Sequence, residues 1–380
     1  MNAPDNPEEL LAQMLSVDTV NPHFGGRAGG EAALAAHLEK LARDWGLNTR
    51  RCCMAADGVT FNLLVTCEPV PDGEWVLFES HMDTVAVEGM TIDPFGGKIE
   101  NGRIHGRGAC DTKGSGAAAL WALREYARGA VRPRNVGLLF AYDEEARMTG
   151  AQAFARDELP KLLPRLRGVI VGEPTLLRPI VAHNGVVRWR TVTRGVAAHS
   201  ADPTKGRSAI SAMMRVLDAL EARFIPLAIR RHPLTGGAAA SVNVIRGGIA
   251  VNVIPARCEI ECDRRTAPGE TAEQVFRERD AALAGLEVEH DSLYVVPPLG
   301  EDLSRDFQAR LTQILTRQGV DPAPCGAPYV TDASHYAAAG APTIVLGPGA
   351  FAQAHTKDEW LALDQLDLAV KVYGDLMSAK

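Results

Sequence analysis

Short apolar runs and stretches with helical periodicity alternate along the first 180 residues of the chain. Apolar positions three and four residues apart predict helices, and continuous apolar runs predict strands. The helices are predicted at 7–17, 30–45 and 115–128, and the strands at 61–67, 75–79, 136–141 and 169–171. Strands that alternate with helices usually form a parallel sheet. The pattern therefore favours an α/β fold with a mostly parallel central sheet and helices on both faces.

The pattern changes after about residue 180. The strands predicted there are 186–192, 240–245, 249–254 and 257–263, and the helices are 208–223 and 270–284. The second and third of these strands are predicted to form a hairpin, because the segment Arg246-Gly247-Gly248 between them is typical of a turn. After Pro297-Pro298 the first pattern returns, with helices at 303–318 and from 363, and a strand at 342–346.

The length of 380 residues agrees with two domains, since a single core rarely grows beyond about 250–300 residues. We predict a first domain at 1–181 and 293–380, and an α+β domain inserted at 182–292. The net charge of −7 gives no positive footprint for nucleic acid or for an anionic membrane. No apolar segment is long enough to span a membrane, and the N-terminus does not resemble a signal peptide. The seven cysteines lack a C-x-x-C pair, which is typical of reduced thiols in a cytoplasmic protein.

Acidic and histidine side chains follow several of the predicted strands. They are His81, Asp83, Glu144, Glu145, Glu173 and His355, and Asp111 lies in a loop rich in glycine. Because ligands bind at the carboxyl ends of strands in open α/β sheets, we expect these side chains to face one crevice. Carboxylates and imidazoles bind divalent metals, and five candidate ligands with two further acids suffice for two ions that share a carboxylate. The set therefore predicts a metal-dependent hydrolase.

Four of these residues have a more specific predicted task. A carboxylate such as Asp111 can bridge two metals that lie about 3.5–4 Å apart. Asp83 is close enough in the chain to His81 to fix the orientation of that ligand. Glu144 and Glu145 are adjacent on an extended segment, so one can bind metal while the other reaches the attacking water. Each motif alone also has an ordinary explanation, as a helix cap or a solvated acidic loop, and their number favours the metal site.

Two glycine-rich segments imitate nucleotide-binding motifs, and we reject both. Gly347-x-Gly349-x-x-Ala352 follows a predicted strand like a dinucleotide fingerprint, but Pro348 and the position outside an opening βαβ unit argue against that function. The segment Lys113-Gly114-Ser115 has the wrong order for a phosphate-binding loop. By itself, His199 in the predicted inserted domain is more often a loop residue than a catalytic one.

Together the motifs resemble one family, the M20 metallopeptidases, over nearly the whole chain. The segments that carry the resemblance are Ser-His-Met-Asp-Thr-Val at 80–85, Gly-Arg-Gly-Ala-Cys-Asp-Thr-Lys-Gly at 106–114, Asp-Glu-Glu at 143–145, Val-Gly-Glu-Pro-Thr at 171–175 and Gly-Pro-Gly-x5-His at 347–355. The resemblance implies a zinc-peptidase-like catalytic domain and an inserted ferredoxin-like domain. The branch with acetylornithine deacetylases and succinyl-diaminopimelate desuccinylases is the most similar, and the former match best.

The resemblance also implies roles for individual residues. One Zn²⁺ ion would be held by His81 and Glu173, a second by Glu145 and His355, and both by Asp111, with Co²⁺ as an alternative metal. The other implied roles are Asp83 as the carboxylate behind His81, Glu144 as the general base, His199 as the group that stabilises the oxyanion, and Asn252 and Arg265 as the groups that bind the substrate carboxylate. Arg264 would replace Arg265 if the alignment shifts by one residue.

The function implied by the resemblance is removal of the acyl group from an N-acyl amino acid, most closely N-acetyl-L-ornithine in arginine biosynthesis. The implied partners are this small-molecule substrate and a second copy of the chain, which would bind through the inserted domain. A succinyl-diaminopimelate desuccinylase, or an M20 carboxypeptidase or dipeptidase, would need the same metals. A non-catalytic binding protein on this fold would have damaged ligands, whereas the ligand set here is intact.

Overall fold

The computed structural model describes residues 3–301 and 303–379, without the side chain of Leu163. It divides into two compact units. The first unit contains the described residues of Met1–Val181, Glu301–Cys325 and Thr331–Lys380, and the second contains Ala182–Gly300 and Gly326–Val330. The predicted return to the first domain at residue 293 is therefore too early. The strand at Glu289–Val296 pairs within the sheet of the second unit, so the boundary follows Gly300.

The helices and strands of the described residues are as follows. The α-helices are α1 (Pro7–Leu15), α2 (Gly30–Asp44), α3 (Lys113–Arg128), α4 (Thr149–Asp157), α5 (Leu159–Leu162), α6 (Ala209–Ala219), α7 (Ala272–Ala282), α8 (Arg305–Arg317), α9 (Ala333–Ala338) and α10 (Leu363–Ser378). The strands are β1 (Asn48–Cys52), β2 (Asn62–Cys67), β3 (Trp75–His81), β4 (Lys98–Glu100), β5 (Arg103–His105), β6 (Asn135–Ala141), β7 (Leu166–Val171), β8 (Ile180–His183), β9 (Gly185–Arg194), β10 (Arg231–His232), β11 (Gly236–Gly237), β12 (Ala239–Gly247), β13 (Arg257–Thr266), β14 (Glu289–Val296), β15 (Cys325–Ala327), β16 (Thr343–Val345) and β17 (Trp360–Ala362). No helix among them is both long and apolar enough to cross a membrane.

The first unit is built on an eight-stranded sheet with the order β1-β2-β6-β3-β7-β16-β8-β15. The central strands β6, β3, β7 and β16 run parallel, whereas the pairs β1–β2, β2–β6 and β16–β8 are antiparallel. The sheet is mixed, and the prediction of mostly parallel strands holds for its centre. Every residue of β2 and β6 is buried, as expected for strands that helices cover on both faces. These observations confirm the α/β class.

The second unit has the chain order β9-α6-β12-β13-α7-β14 and the sheet order β12-β13-β9-β14. This is the β-α-β-β-α-β arrangement of ferredoxin-like domains, and it confirms the predicted type of inserted domain. Along β13, buried residues alternate with more exposed ones. The inward face packs against α6 and α7, with Trp189, Met213, Phe224, Ile260 and Val275 in the core.

The predicted hairpin in the second unit is wrong. Strand β12 pairs with β13, so the connection between the two strands runs from Gly248 to Ala256, and the segment 249–254 forms no strand. Ile249 is 90% exposed and Val251 is 102% exposed. In the sequence, the alternation of Ile249 and Val251 with smaller residues resembles a half-buried strand. In the described part of the chain, these two side chains lie outside the hydrophobic core.

Candidate metal centre

The parallel strands bring the predicted ligands to one edge of the central sheet. Strand β3 ends at His81, and β6 ends two residues before Asp143-Glu144-Glu145. Strand β7 ends two residues before Glu173, and the segment after β16 leads to His355. Since parallel strands share one carboxyl edge, side chains that are far apart in sequence meet there.

Asp111 lies between the two histidines. Its Oδ1 atom is 3.0 Å from Nε2 of His81, and its Oδ2 atom is 3.3 Å from Nε2 of His355. On the first side, Oε1 of Glu173 is 3.9 Å from the same nitrogen of His81. On the second side, Oε2 of Glu145 is 3.0 Å from Nε2 of His355. The five side chains therefore form two halves joined by one carboxylate, which is the grouping that the family resemblance implies.

This donor set fits divalent metal ions. Ligand atoms of His81, Asp111 and Glu145 all lie within 4.8 Å of one another. The side chains of Asp111, Glu145 and Glu173 are at most 9% exposed. Buried carboxylates require a compensating positive charge, and nitrogen and oxygen donors of this kind suit Zn²⁺. The carboxylate of Asp111, which both halves share, has the position that a bridge between two ions would require.

In the metal-free protein, protons on the histidines supply part of that positive charge. Hydrogen bonds to Asp111 and Glu145 raise the pKa of His355 to about 10. Burial opposes a proton on His81, but hydrogen bonds to Asp111 and Asp83 outweigh it and raise the pKa of His81 well above its ordinary value. Burial, followed by the charge of Asp111, raises the pKa of Glu145 to about 7. Metal ions would replace these protons, so their binding depends on pH.

The carboxylate of Asp83 organises the turn that carries Glu144 and Glu145. Its Oδ1 atom accepts a hydrogen bond from the backbone N–H of Glu144, and its Oδ2 atom accepts one from Glu145, both at 3.0 Å. The Nδ1 atom of His81 contacts the backbone carbonyl oxygen of Asp83 at 3.0 Å and lies 3.5 Å from Oδ1. Asp83 therefore touches both the histidine, as predicted, and the paired glutamates, which the sequence did not indicate.

Glu144 lies in the same buried cluster and is 9% exposed. Burial raises its pKa well above the ordinary value, and the charges of Asp332 and Glu145 add to the effect while His81 opposes it. A carboxylate with a raised pKa is a stronger base than one in water. This environment is compatible with the predicted proton-transfer role.

Glu359 supports the loop of the candidate metal centre, and the sequence analysis gave it no role. It is fully buried, and its carboxylate accepts hydrogen bonds from the Arg107 guanidinium at 2.7 Å and from the backbone N–H groups of Gly108, Cys110 and Asp111 at 3.1, 2.8 and 2.9 Å. It therefore fixes the loop that presents Asp111. The signal available in the sequence was an acidic residue four positions after His355.

Asn21 is a second missed residue. Its side-chain amide donates hydrogen bonds to Oδ2 of Asp83 at 2.8 Å and to Oδ1 of Asp143 at 3.0 Å. Asn21 therefore links Asp83, which contacts His81, with Asp143, which precedes Glu144. Nothing in its local sequence, an asparagine before a proline, distinguishes it from an ordinary turn residue.

The remaining predicted site residues lie in the second unit. His199 and Asn252 are exposed and close together, since the N–H of Ser200 donates to the carbonyl oxygen of Asn252 at 3.0 Å. The Nε atom of Arg265 is 2.8 Å from Oδ1 of Asp263, and its side chain is 37% exposed. Arg264, the alternative to Arg265, is fully buried and forms an ion pair with Glu270 at 2.6 Å. Of the two arginines, only Arg265 presents its guanidinium to solvent.

Comparison with known proteins shows what the chain is similar to. The model of peptidase family M20/M25/M40 matches residues 77–379. An acetylornithine deacetylase from Edwardsiella ictaluri (strain 93-146) is 33% identical over 369 residues, which cover 93% of this chain and 92% of the relative. An acetylornithine deacetylase from Myxococcus xanthus is 31% identical over 310 residues, which cover 75% of each chain. An M20 family metallo-carboxypeptidase from Sulfolobus solfataricus shares the fold, with a TM-score of 0.80 at 16% identity over 99% of both chains.

The family match extends over most of the chain and includes every candidate ligand. The relatives that resemble this chain over most of their length are named as enzymes, and the candidate ligands form one compact cluster. Both findings point to the same chemistry. The chain is a metal-dependent hydrolase and belongs to peptidase family M20/M25/M40.

Proposed function

We propose that this enzyme hydrolyses the amide bond of N-acyl amino acids, and that N-acetyl-L-ornithine is its preferred substrate. The observation that carries the reaction type is the position of Asp111, with one carboxylate oxygen toward each histidine. Two ions held in this way are typical of hydrolases. The choice of substrate rests on the two relatives named acetylornithine deacetylase.

In this proposal His81 and Glu173 would hold one Zn²⁺ ion, Glu145 and His355 would hold the other, and Asp111 would bind both. Co²⁺ is the proposed alternative metal. Bound ions of this type act as Lewis acids and lower the pKa of water. The side chains are already grouped in two halves, and the second half includes two contacts of about 3 Å around His355.

Glu144 performs the proton transfers. It accepts a proton from the water whose oxygen bonds to the acyl carbon, and it returns that proton to the amine nitrogen as the carbon–nitrogen bond breaks. The products are a carboxylic acid and a free amine, and transfer of the acid's proton to the amine gives a carboxylate and an ammonium ion, so atoms and charges balance. Asp83 holds the backbone of Glu144 in place through a hydrogen bond of 3.0 Å.

The second unit is proposed to supply the groups that bind the substrate. Arg265 and Asn252 would bind the α-carboxylate, because a guanidinium meets a carboxylate with two parallel hydrogen bonds. His199 would stabilise the negative oxygen that forms during attack. Its imidazole accepts a hydrogen bond from the N–H of Ala201 at 3.1 Å through Nδ1, which leaves Nε2 as the atom directed to substrate.

We propose a cytoplasmic homodimer that associates through the second unit. Ile210 and Met214 lie one turn apart on α6 and are 39% and 60% exposed. Ile245 on β12, an edge strand of the sheet, is 57% exposed. Exposed apolar side chains beside an edge strand are typical of association surfaces. The cytoplasmic location rests on the seven cysteines, none of which forms a disulfide.

Hydrolysis of a small panel by zinc-loaded and chelator-treated protein tests the proposal. The panel contains N-acetyl-L-ornithine, other N-acetyl amino acids, N-succinyl-diaminopimelate and several dipeptides. Zinc-dependent turnover with the highest kcat/KM on N-acetyl-L-ornithine supports it. Restoration by Zn²⁺ or Co²⁺ after chelation controls for damage by the chelator. A higher kcat/KM on the succinyl compound or on a dipeptide would refute the substrate, and turnover that survives complete metal removal would refute the reaction type.

A further inference from the structure

A cavity of about 630 Å³ in the first unit has no part in the proposed function. Its wall includes Asn21, Tyr142 and Asp143, and the last of these directly precedes Glu144. None of the five proposed metal ligands lines the cavity, and neither does Glu144. Its volume lies in the range of small-molecule sites, which is about 300–1,000 Å³. The cavity therefore has the size of a second binding site, separate from the metal centre.

The wall of this cavity is acidic. Glu31, Asp57 and Asp143 contribute carboxyl groups, whereas Arg147 is the only lysine or arginine of the lining. None of the three carboxyl groups forms an ion pair with another described residue. Three acidic groups against one guanidinium favour a ligand with net positive charge.

Two of the three carboxyl groups already have hydrogen-bond donors on both oxygens. Those of Asp57 accept hydrogen bonds within the turn 57–60, at distances of 2.7 and 2.8 Å. Those of Asp143 accept one from Asn21 at 3.0 Å and one from Thr149 at 2.5 Å. These two side chains therefore contribute negative charge to the wall but are already hydrogen-bonded by the protein.

Glu31 is different, because one of its oxygens has no donor. It lies in the first turn of α2 and is only 7% exposed. Its Oε1 atom accepts a hydrogen bond from the backbone N–H of Asp143 at 2.9 Å, whereas Oε2 has no partner in the described part of the chain. Burial, followed by the charge of Asp83, raises the pKa of Glu31 to about 9, so this group holds a proton near neutral pH. A bound cation would replace that proton and satisfy the free oxygen.

An ammonium group fits this wall better than a metal ion does. A divalent metal needs several oxygen ligands, but Glu31 Oε2 is the only carboxyl oxygen of the described lining without a donor. An ammonium group can be held by one carboxylate together with water. The wall also has small apolar side chains that can cover an alkyl chain, from Pro22, Ala55, Ala56 and Ala146.

Arg147 offers the complementary contact. It is exposed, and its guanidinium forms no hydrogen bond or ion pair with another described residue. A free guanidinium is the side chain best suited to a carboxylate. The lining thus presents one free acceptor for an ammonium group and one free donor for a carboxylate.

We propose that this cavity binds a basic amino acid, with an ammonium group on Oε2 of Glu31 and the carboxylate on Arg147. The second ammonium group of such a ligand gives it the net positive charge that the acidic wall favours. Binding is non-covalent. This inference goes beyond the proposed function and does not depend on it.

Isothermal titration calorimetry with L-ornithine is the first measurement, on the full-length protein in its zinc-loaded and chelator-treated forms. Binding of one molecule per chain should persist after chelation, because no proposed metal ligand lines the cavity. Glu31→Gln should weaken this binding about 10–100-fold, the usual effect of losing a hydrogen bond to a charged group. Glu39→Gln is the matched control, since Glu39 is 5% exposed on the same helix and pairs with Arg51 instead.

Putrescine, which is L-ornithine without its carboxylate, tests the orientation of the ligand. Arg147→Gln should weaken the binding of L-ornithine roughly 3-fold, as expected for an exposed ion pair, and should not change the binding of putrescine. Glu31→Gln should weaken both ligands. Arg128→Gln, which changes an exposed arginine on α3, is the control. Because Arg147 is exposed, its variant should fold normally even if Glu31→Gln does not.

Three outcomes would overturn the proposal. Equal affinity of Glu31→Gln and the original protein would exclude the site, and equal effects of Arg147→Gln on L-ornithine and putrescine would exclude the orientation. Binding that occurs only in the zinc-loaded protein would assign the ligand to the metal centre. None of these measurements uses hydrolytic activity, so failure here is distinct from failure of the proposed function.

Discussion

Glu144 and Glu145 are neighbours in the chain but have different partners. Glu145 contacts His355 at 3.0 Å, and Glu144 makes no such contact with a histidine in the described part of the chain. Both backbone N–H groups are held by Asp83. This difference supports the proposal that Glu145 is a ligand and that Glu144 keeps its carboxylate available for proton transfer.

The first prediction separates these tasks. Glu144→Gln should lower kcat on the best substrate by about 10²–10⁴-fold, because the amide cannot accept the proton. Metal content should not change, since Glu144 is not a proposed ligand. Steady-state kinetics and metal analysis of the same preparation check both points. Glu125→Gln, which changes a half-exposed glutamate on α3, is the control. Metal loss in Glu144→Gln, or nearly normal turnover, would contradict the assignment.

The second prediction concerns Glu359. Glu359→Gln keeps the size of the side chain but turns an NH₂ group toward N–H donors. The loop of Asp111 should lose its support, and Zn²⁺ affinity should fall about 10–100-fold, as is usual when a residue that supports a ligand is changed. Competition with a chelator of known affinity measures the Zn²⁺ affinity of the variant and of the original protein.

The adjacent carboxylate provides the control for that experiment. Asp358 is partly exposed and accepts a hydrogen bond from the backbone N–H of Thr91, so Asp358→Asn should retain the affinity for metal. Equal affinity in Glu359→Gln and the original protein would show that the four hydrogen bonds do not support the metal centre.

The ligands were predictable because they follow apolar runs and occur in recognisable motifs. The residues that support them were not. Asn21 and Glu359 act across 62 and 248 residues of sequence, through contacts with Asp83 and Asp111. A local pattern carries no information about such contacts, since only the folded sheet brings these segments together.

At the scale of elements, burial decided which strands could be predicted. The fully buried β2 and β6 appear as continuous apolar runs. The edge strand β1 has the sequence Asn-Thr-Arg-Arg-Cys and is mostly exposed, so its pairing with β2 leaves no apolar signal. The same cause explains the opposite error at 249–254, where exposed apolar residues imitate a strand. Pattern analysis detects burial rather than pairing.

The third prediction tests the proposed association through α6. Met214→Glu places a charge on the exposed apolar face of that helix, and a buried charge without a partner opposes association. The protein should change from dimer to monomer in light scattering. Val131→Glu, at a 66% exposed position of the first unit, is the control and should stay dimeric. A dimer that survives Met214→Glu, or a monomeric original protein, would contradict this surface.

At the scale of the whole molecule, the metal centre links stability to pH. His355 has its pKa raised from 6.5 to about 10, so the stability that its proton contributes is complete below about pH 6.5 and is lost as pH rises through about 10. Glu145 has its pKa raised from 4.5 to about 7, so its contribution is lost as pH rises through about 7. Both groups make the metal-free protein less stable at higher pH.

The fourth prediction follows from this linkage. Chelator-treated protein should lose thermal stability from about pH 6 to about pH 9, whereas the gain in Tm on adding Zn²⁺ should increase. At a metal concentration about 100-fold above Kd, one site contributes about 2.7 kcal/mol. Thermal unfolding with and without metal across this range measures both trends. A zinc-induced gain that is constant with pH would show that binding displaces no protons from these residues.

The sheet order has a consequence for synthesis of the chain. Strand β16 lies between β7 and β8, and the chain makes the whole second unit before it reaches β16. At about 5–20 residues per second on the ribosome, β7 waits many seconds with its outer edge unpaired. An open parallel edge is prone to pair with other chains. We therefore expect nascent chains to be most dependent on chaperones, and most prone to aggregate, in the interval between completion of Glu173 and emergence of β16.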